Sequence, residues 1–86
     1  MEYGLVISPR AEKDLDRIVK KVRVRILDAL EELRTNPRPP RSKKLKGRDL
    51  WRIRVGDYRA IYSIADEELI VTVVRVGHRK EVYREF

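Results

Sequence analysis

Leu50-Trp51-Arg52-Ile53-Arg54-Val55-Gly56-Asp57-Tyr58-Arg59-Ala60-Ile61-Tyr62 is the stretch whose reading decides the fold. Trp51, Ile53 and Val55 alternate with Arg52 and Arg54, the period-two pattern of a strand with one buried face. Gly56-Asp57 offers a two-residue turn with glycine first, and Tyr58 to Ala65 reads as the returning strand. Such a turn sets Val55 opposite Tyr58, Arg54 opposite Arg59 and Arg52 opposite Ile61. Two arginines then meet directly across the ladder, an arrangement that costs some tenths of a kcal/mol, up to about 1 kcal/mol. An anion held between them offsets that cost; the plain alternative is that all three arginines splay into solvent from an exposed face. Guanidinium planes grip phosphate through paired N–H donors, which makes arginine more telling here than lysine.

Working outward, Leu69 to Val76 is an almost continuous apolar run fit for a central strand, with Asp66-Glu67-Glu68 as the turn before it. Upstream, Glu2 to Ser8 reads as a short strand. Ser8 and Pro9 then suit a helix cap and first helical position, because Ser accepts an orphan backbone N–H and Pro has none to lose. Ala11, Leu15, Ile18, Val19 and Val22 follow helical spacing, and Ile26, Ala29, Leu30 and Leu33 continue it. The pattern predicts two helices or one bent helix, since no Gly or Pro marks a break. Asn36-Pro37 ends the helical region, because the residue before Pro is pushed out of the α basin. Arg38 to Lys46 reads as an extended, solvated loop leading to Gly47. The expected fold class is α+β: an N-terminal strand and a helical hairpin packed on an antiparallel meander, one domain over residues 1–86, with a short C-terminal segment.

Composition narrows the function. With 86 residues the chain supports one core. Apolar residues make up 42% and charged residues 41%, enough for a core inside a heavily charged surface. No apolar stretch approaches the roughly 18 residues needed to span a bilayer, and no secretory layout opens the chain, so the expected location is cytoplasmic, with no membrane partner. There is no cysteine and one histidine, which argues against disulfides, thiolate zinc and an imidazole metal cluster. No metal and no cofactor are expected. The net charge is +7, and it is localised. Between Pro37 and Arg59 lie Arg38, Arg41, Lys43, Lys44, Lys46, Arg48, Arg52, Arg54 and Arg59 against only Asp49 and Asp57. That takes nine of 21 basic and two of 14 acidic residues and leaves twelve of each elsewhere. Charge concentrated in this way focuses a field toward an anionic partner, and phosphate is the expected anion.

Past the apolar run the chain reads Val76-Gly77-His78-Arg79-Lys80-Glu81-Val82-Tyr83. A glycine at the end of a buried strand permits a bend, after which His78, Arg79 and Tyr83 would turn toward the arginine face. Taken singly each has a plainer explanation: a lone His is usually filler, and a Tyr near a terminus usually anchors the tail. Together they form a cationic group with a phenol.

The segments Lys43-Lys44-Leu45-Lys46-Gly47, Leu50 to Tyr62 and Val76 to Tyr83, with the Ser-Pro-Arg-Ala opening of the first helix, resemble the RelE/ParE superfamily of toxins, on the RelE side. The likeness spans nearly the whole chain. It implies a twisted antiparallel sheet with a helical hairpin on one side and a concave basic face on the other. Carried over by position, it implies a basic catalytic pair at Arg52 and Arg54, where relatives often have lysine. It likewise implies a phosphate-binding arginine at Arg59, an arginine near the leaving group at Arg79 and the catalytic tyrosine at Tyr83. His78 falls where some relatives carry another basic residue and is a possible catalytic group. Guanidinium is a poor proton acceptor, which leaves Tyr83, whose phenolate nearby arginines favour, either as the base or as a ring that stacks on the exposed nucleobase. Lys43, Lys44, Lys46 and Arg48 would grip RNA phosphates.

The implied reaction is attack of a ribose 2′-OH on the adjacent phosphate of messenger RNA in the ribosomal decoding site, leaving a 2′,3′-cyclic phosphate. Cations stabilise the extra transition-state charge without a metal. A cognate antitoxin protein, mRNA and the ribosome are the implied partners. A ParE-like inhibitor of DNA gyrase and a non-catalytic RNA-binding module are the alternatives; gyrase-directed relatives generally lack the set Arg59, Arg79 and Tyr83.

Overall fold

The computed structural model describes residues 2–78 and residue 82. The elements, in order, are β1 (Gly4–Ile7), α1 (Pro9–Asp16), α2 (Lys20–Glu32), β2 (Lys43–Lys44), β3 (Trp51–Val55), β4 (Tyr58–Ala65) and β5 (Ile70–His78). One five-stranded sheet has the order β1-β5-β4-β3-β2. It is antiparallel from β2 through β5, and β1 adds in parallel against β5. Both helices pack on one side, and Ala11, Leu15, Ile18, Ile26, Ala29, Leu30 and Leu33 meet Ile53, Val55, Ala60, Tyr62, Val71, Val73 and Val76 in one core.

Ser8 caps α1 as its sequence implies: Oγ accepts the Ala11 N–H at 3.1 Å and itself donates to the Val74 carbonyl at 3.2 Å. The helical region is two helices. The break at Arg17–Val19 carries no Gly or Pro, and α2 begins without a side-chain cap or an acidic residue in its first turn. Local preference does not start that helix. Burial of Ile18 at the elbow and of Ile26, Ala29, Leu30 and Leu33 along α2 fixes the bend instead.

The hairpin register is the one its turn dictates: Val55 pairs with Tyr58, Arg54 with Arg59 and Arg52 with Ile61. Gly56 has φ +60°, a left-handed value that glycine adopts at no steric cost. Two expectations need correction. The Arg38 to Lys46 segment is not all loop, because Lys43–Lys44 pair with Arg52 and Trp51 as a short edge strand. The last strand also does not bend at Gly77 but continues through His78, since Gly77 and His78 still pair with Arg59 and Tyr58.

A register shift between the partners of Ile61 and Tyr62 leaves Val74 as an extra residue in β5. This bulge resolves the unbroken apolar run: it changes the phase so that Val71 and Val73, and then Val76, all face the helices. Beyond the end of β1, the exposed edge of β5 is closed from the helix layer. Asp14 Oδ2 accepts the Val76 N–H at 2.9 Å and the Arg75 Nε–H at 2.8 Å.

At the opposite end, Asp66 accepts two bonds from Arg38, at 3.1 and 2.8 Å, and one from the Tyr3 hydroxyl at 2.7 Å. These bonds, Arg38 foremost, hold its carboxyl down at about 2. The Arg38 guanidinium also lies 5.3 Å over the Trp51 ring. The fully buried Tyr62 donates its hydroxyl to the Pro37 carbonyl at 2.7 Å, and burial pushes its phenol pKa up. The connection from α2 to β2 is thereby tied to the sheet.

Candidate functional site

Because Trp51, Ile53 and Val55 in β3 and Tyr58, Ala60 and Tyr62 in β4 pack toward the helices, the residues between them emerge on the other face. That face carries Arg52, Arg54, Arg59 and Ile61. Lys43 stands across from Arg52 and extends the row toward the sheet edge. Gly77 stands across from Arg59 on the other side.

Arg59 is the unusual member. It is 8% exposed, the one buried charged residue among those described. Its Nη1 donates to the Tyr58 carbonyl at 3.3 Å, and it forms no ion pair with the described residues. A guanidinium this far from water normally lies against a carboxylate, because desolvating an uncompensated charge is costly. Arg59 instead faces a second cation, Arg54. The contrast in exposure follows from topology: β4 lies between β3 and β5, while the Arg54 end of β3 reaches beyond the two residues that β2 pairs with. The result is a shielded positive centre beside an accessible one, the geometry for an anion held by both.

The remaining expected site residues fall in three places. Arg52, half-buried, shares the face with Arg54 and Arg59. Lys44, Lys46 and Arg48 line a shallow hollow on the exposed loop between β2 and β3, at the rim of the sheet. His78 is directed to the helix side: it pairs with Tyr58 and meets its ring edge to face, centroids 5.9 Å apart. With Asp14, Arg17, Ile18, Tyr58, Gly77 and Val82 it lines a cavity of about 210 Å³ between the helix elbow and the end of β5, which Arg52, Arg54 and Arg59 do not line. Arg79 and Tyr83 lie outside the described residues.

Two features have no counterpart in the sequence reading. Ile61 and Val82 are both fully buried, yet neither belongs to the helix-side core. Val82 lies against Gly77, the ladder partner of Arg59. The second is the carboxylate of Asp14, which closes the edge of β5. A lone Asp on an amphipathic helix carries no signal of that use.

Comparison with known proteins agrees with this architecture. The family model of the ParE toxin of the type II toxin–antitoxin system matches residues 5–83. The mRNA interferase toxin RelE of Escherichia coli is 34% identical over 90 residues, covering 99% of this chain and 94% of its own length. The toxin RelG of Mycobacterium tuberculosis is 30% identical over 88 residues, covering 98% and 99%. In the crystal structure of the archaeal RelE–RelB complex from Pyrococcus horikoshii, the matching chain superposes with a TM-score of 0.83 at 30% identity, over 95% of this chain and all of that one. A sheet with one helical and one arginine-lined face, a match along nearly its whole length and the same fold in solved relatives make this chain a member of the RelE/ParE superfamily of type II toxin–antitoxin toxins.

Proposed function

We propose that this toxin is an endoribonuclease that cuts messenger RNA on the ribosome by metal-independent transesterification. The observation that carries the reading is the burial of Arg59 opposite Arg54 with no described acidic partner. The RelE relative from Escherichia coli bears the name mRNA interferase, which supports the same substrate. In this scheme Arg59 and Arg54 bind the scissile phosphate, and Arg52 adds charge from the neighbouring position. The ribose 2′-OH attacks phosphorus, the bond to the 5′-oxygen breaks, and a 2′,3′-cyclic phosphate remains. As negative charge grows on the phosphoryl oxygens, the shielded Arg59 stabilises it with little reorganisation of water, and the accessible Arg54 adds a second charge. Tyr83 takes the 2′-OH proton as phenolate, and Arg79 stabilises the charge on the leaving 5′-oxygen. Lys43, Lys44, Lys46 and Arg48 hold flanking phosphates at the rim. A cognate antitoxin binds the toxin in the cytoplasm; the RelB–RelE antitoxin–toxin complex of the relative from Methanococcus jannaschii supports a partner of that kind.

Mapping of 3′ ends after incubation with translating ribosomes tests the reading. Cyclic-phosphate ends in messenger RNA, absent with Arg79→Ala or Tyr83→Phe, are the expected result. The match to the ParE family model favours a second reading, inhibition of DNA gyrase. Toxicity with DNA-damage induction that persists in both variants would select it.

A further inference from the structure

Val82 is 0% exposed although it follows the last strand of the sheet. A Cβ built on Gly77 would meet Val82 Cβ at 3.5 Å, its Cγ2 at 3.8 Å and its Cα at 3.9 Å. Gly77 does not have a positive φ, so its backbone does not call for glycine. What glycine provides at this position is room: a methyl would make ordinary contact with Val82, and a branched side chain would occupy its place. Gly77 is the ladder partner of Arg59, and Ile61, two residues along the same face, is fully buried as well. A small apolar seat therefore lies at the β5 edge of an otherwise cationic face, in the ladder row of the buried Arg59, and adjoins the cavity at the helix elbow.

We propose that Val82 is a positioning residue for the nuclease reaction, an apolar peg seated at Gly77 that holds the C-terminal residues to the phosphate site. The inference rests on the nuclease reading above. Tyr83 is joined to Val82 by a single peptide bond, which separates consecutive Cα atoms by about 3.8 Å. A seated Val82 thus fixes the point from which Tyr83 must reach the phosphate, and in sequence Arg79 directly follows His78, the last residue of β5. The peg has a second effect: apolar atoms beside Arg59 exclude water and strengthen its attraction for a phosphate. Val82 lies outside the helix-side core, so unseating it leaves that core intact. Its loss is expected to act on the geometry of the reacting groups, where a misplacement of about 1 Å costs on the order of 100-fold in rate.

The full-length toxin, ribosomes programmed with a defined messenger RNA, and single-turnover kinetics test this. Val82→Ser and Gly77→Val unseat the peg from its two sides, and both are expected to lower the cleavage rate by about 30- to 100-fold. KM and affinity for RNA are expected to change less than about threefold, with melting temperature nearly that of the parent, because the arginines and the core remain. Val82→Ile, which keeps an apolar peg, is expected to restore most of the rate. Parental cleavage by Val82→Ser, or a rate loss that only tracks unfolding or weaker RNA binding in both variants, would overturn the proposal. Absence of cyclic-phosphate ends with the parent protein would instead overturn the nuclease reading, and this inference with it.

Discussion

Arg54 and Arg59 are direct partners across the β3–β4 ladder, one exposed and the other nine-tenths buried. Nothing in folding favours the pair, since like charges in that position repel. Arg54→Gln is therefore expected to stabilise the free protein, by up to about 1 kcal/mol. The same change should slow RNA cleavage by about 10- to 100-fold, the scale for removing one donor to transition-state charge. Thermal melting and initial rates on one preparation check both signs. A variant both less stable and fully active would show that Arg54 serves the fold instead of the site.

Asp14 joins α1 to the exposed edge of β5 through Arg75 and the Val76 N–H, with side chains 10% and 15% exposed for Asp14 and Arg75. Asp14→Ala is expected to cost about 2–4 kcal/mol, because a shielded charge pair is broken and a backbone donor is deprived of its acceptor. Asp14→Asn should cost less, as its amide oxygen can still accept the Val76 N–H. Urea unfolding of the three proteins measures the order, and equal stabilities would refute this use of Asp14.

Acid sensitivity should have an identifiable component at Asp66. Its folded pKa of about 2 lies below the ordinary 3.8, so its contribution to stability is complete above the unfolded value and fades as pH falls from about 4 through 2. Removing the carboxylate with Asp66→Asn should lower the melting temperature at neutral pH, and the gap to the parent should close progressively across that acid window. A gap unchanged between pH 6 and pH 2 would exclude the linkage.

The lysines of the rim should govern binding without governing chemistry. Lys43→Ala, Lys44→Ala and Lys46→Ala are each expected to reduce the salt dependence of RNA binding, with the slope of log affinity against log salt falling by about 0.7 for each phosphate no longer neutralised. The single-turnover rate at saturation should stay within about threefold. An unchanged slope in all three variants would remove this loop from the RNA path.

The β3–β4 hairpin is legible in the sequence because it is a local object: alternation sets the faces, and a two-residue turn with glycine at φ +60° sets the register. The cap at Ser8 and the end of the helical region near Pro37 are legible for the same reason. Other features have causes distant in the chain. The elbow at Arg17–Val19 has no local breaker and follows from packing of Ile18. The β2 edge strand is two lysines long, and composition alone reads it as solvated loop. The parallel pairing of β1 with β5 joins residues more than 60 positions apart, such as Gly4 and Ile70. Grouping His78 with the arginines requires a bend at Gly77; the strand continues instead, and period-two alternation turns His78 toward Tyr58.

By itself, then, the amino-acid order determined where positive charge accumulates and which residues face one another across the hairpin, because both depend on neighbours a few residues apart. Only the tertiary structure decided that Arg59 is shielded while Arg54 is not, that Asp14 closes the β5 edge, and that Val82 seats against Gly77. Those facts depend on which strand lies inside the sheet and on what returns to cover it. Water exclusion and long-range packing are properties of the assembled chain, with no signature in any short stretch.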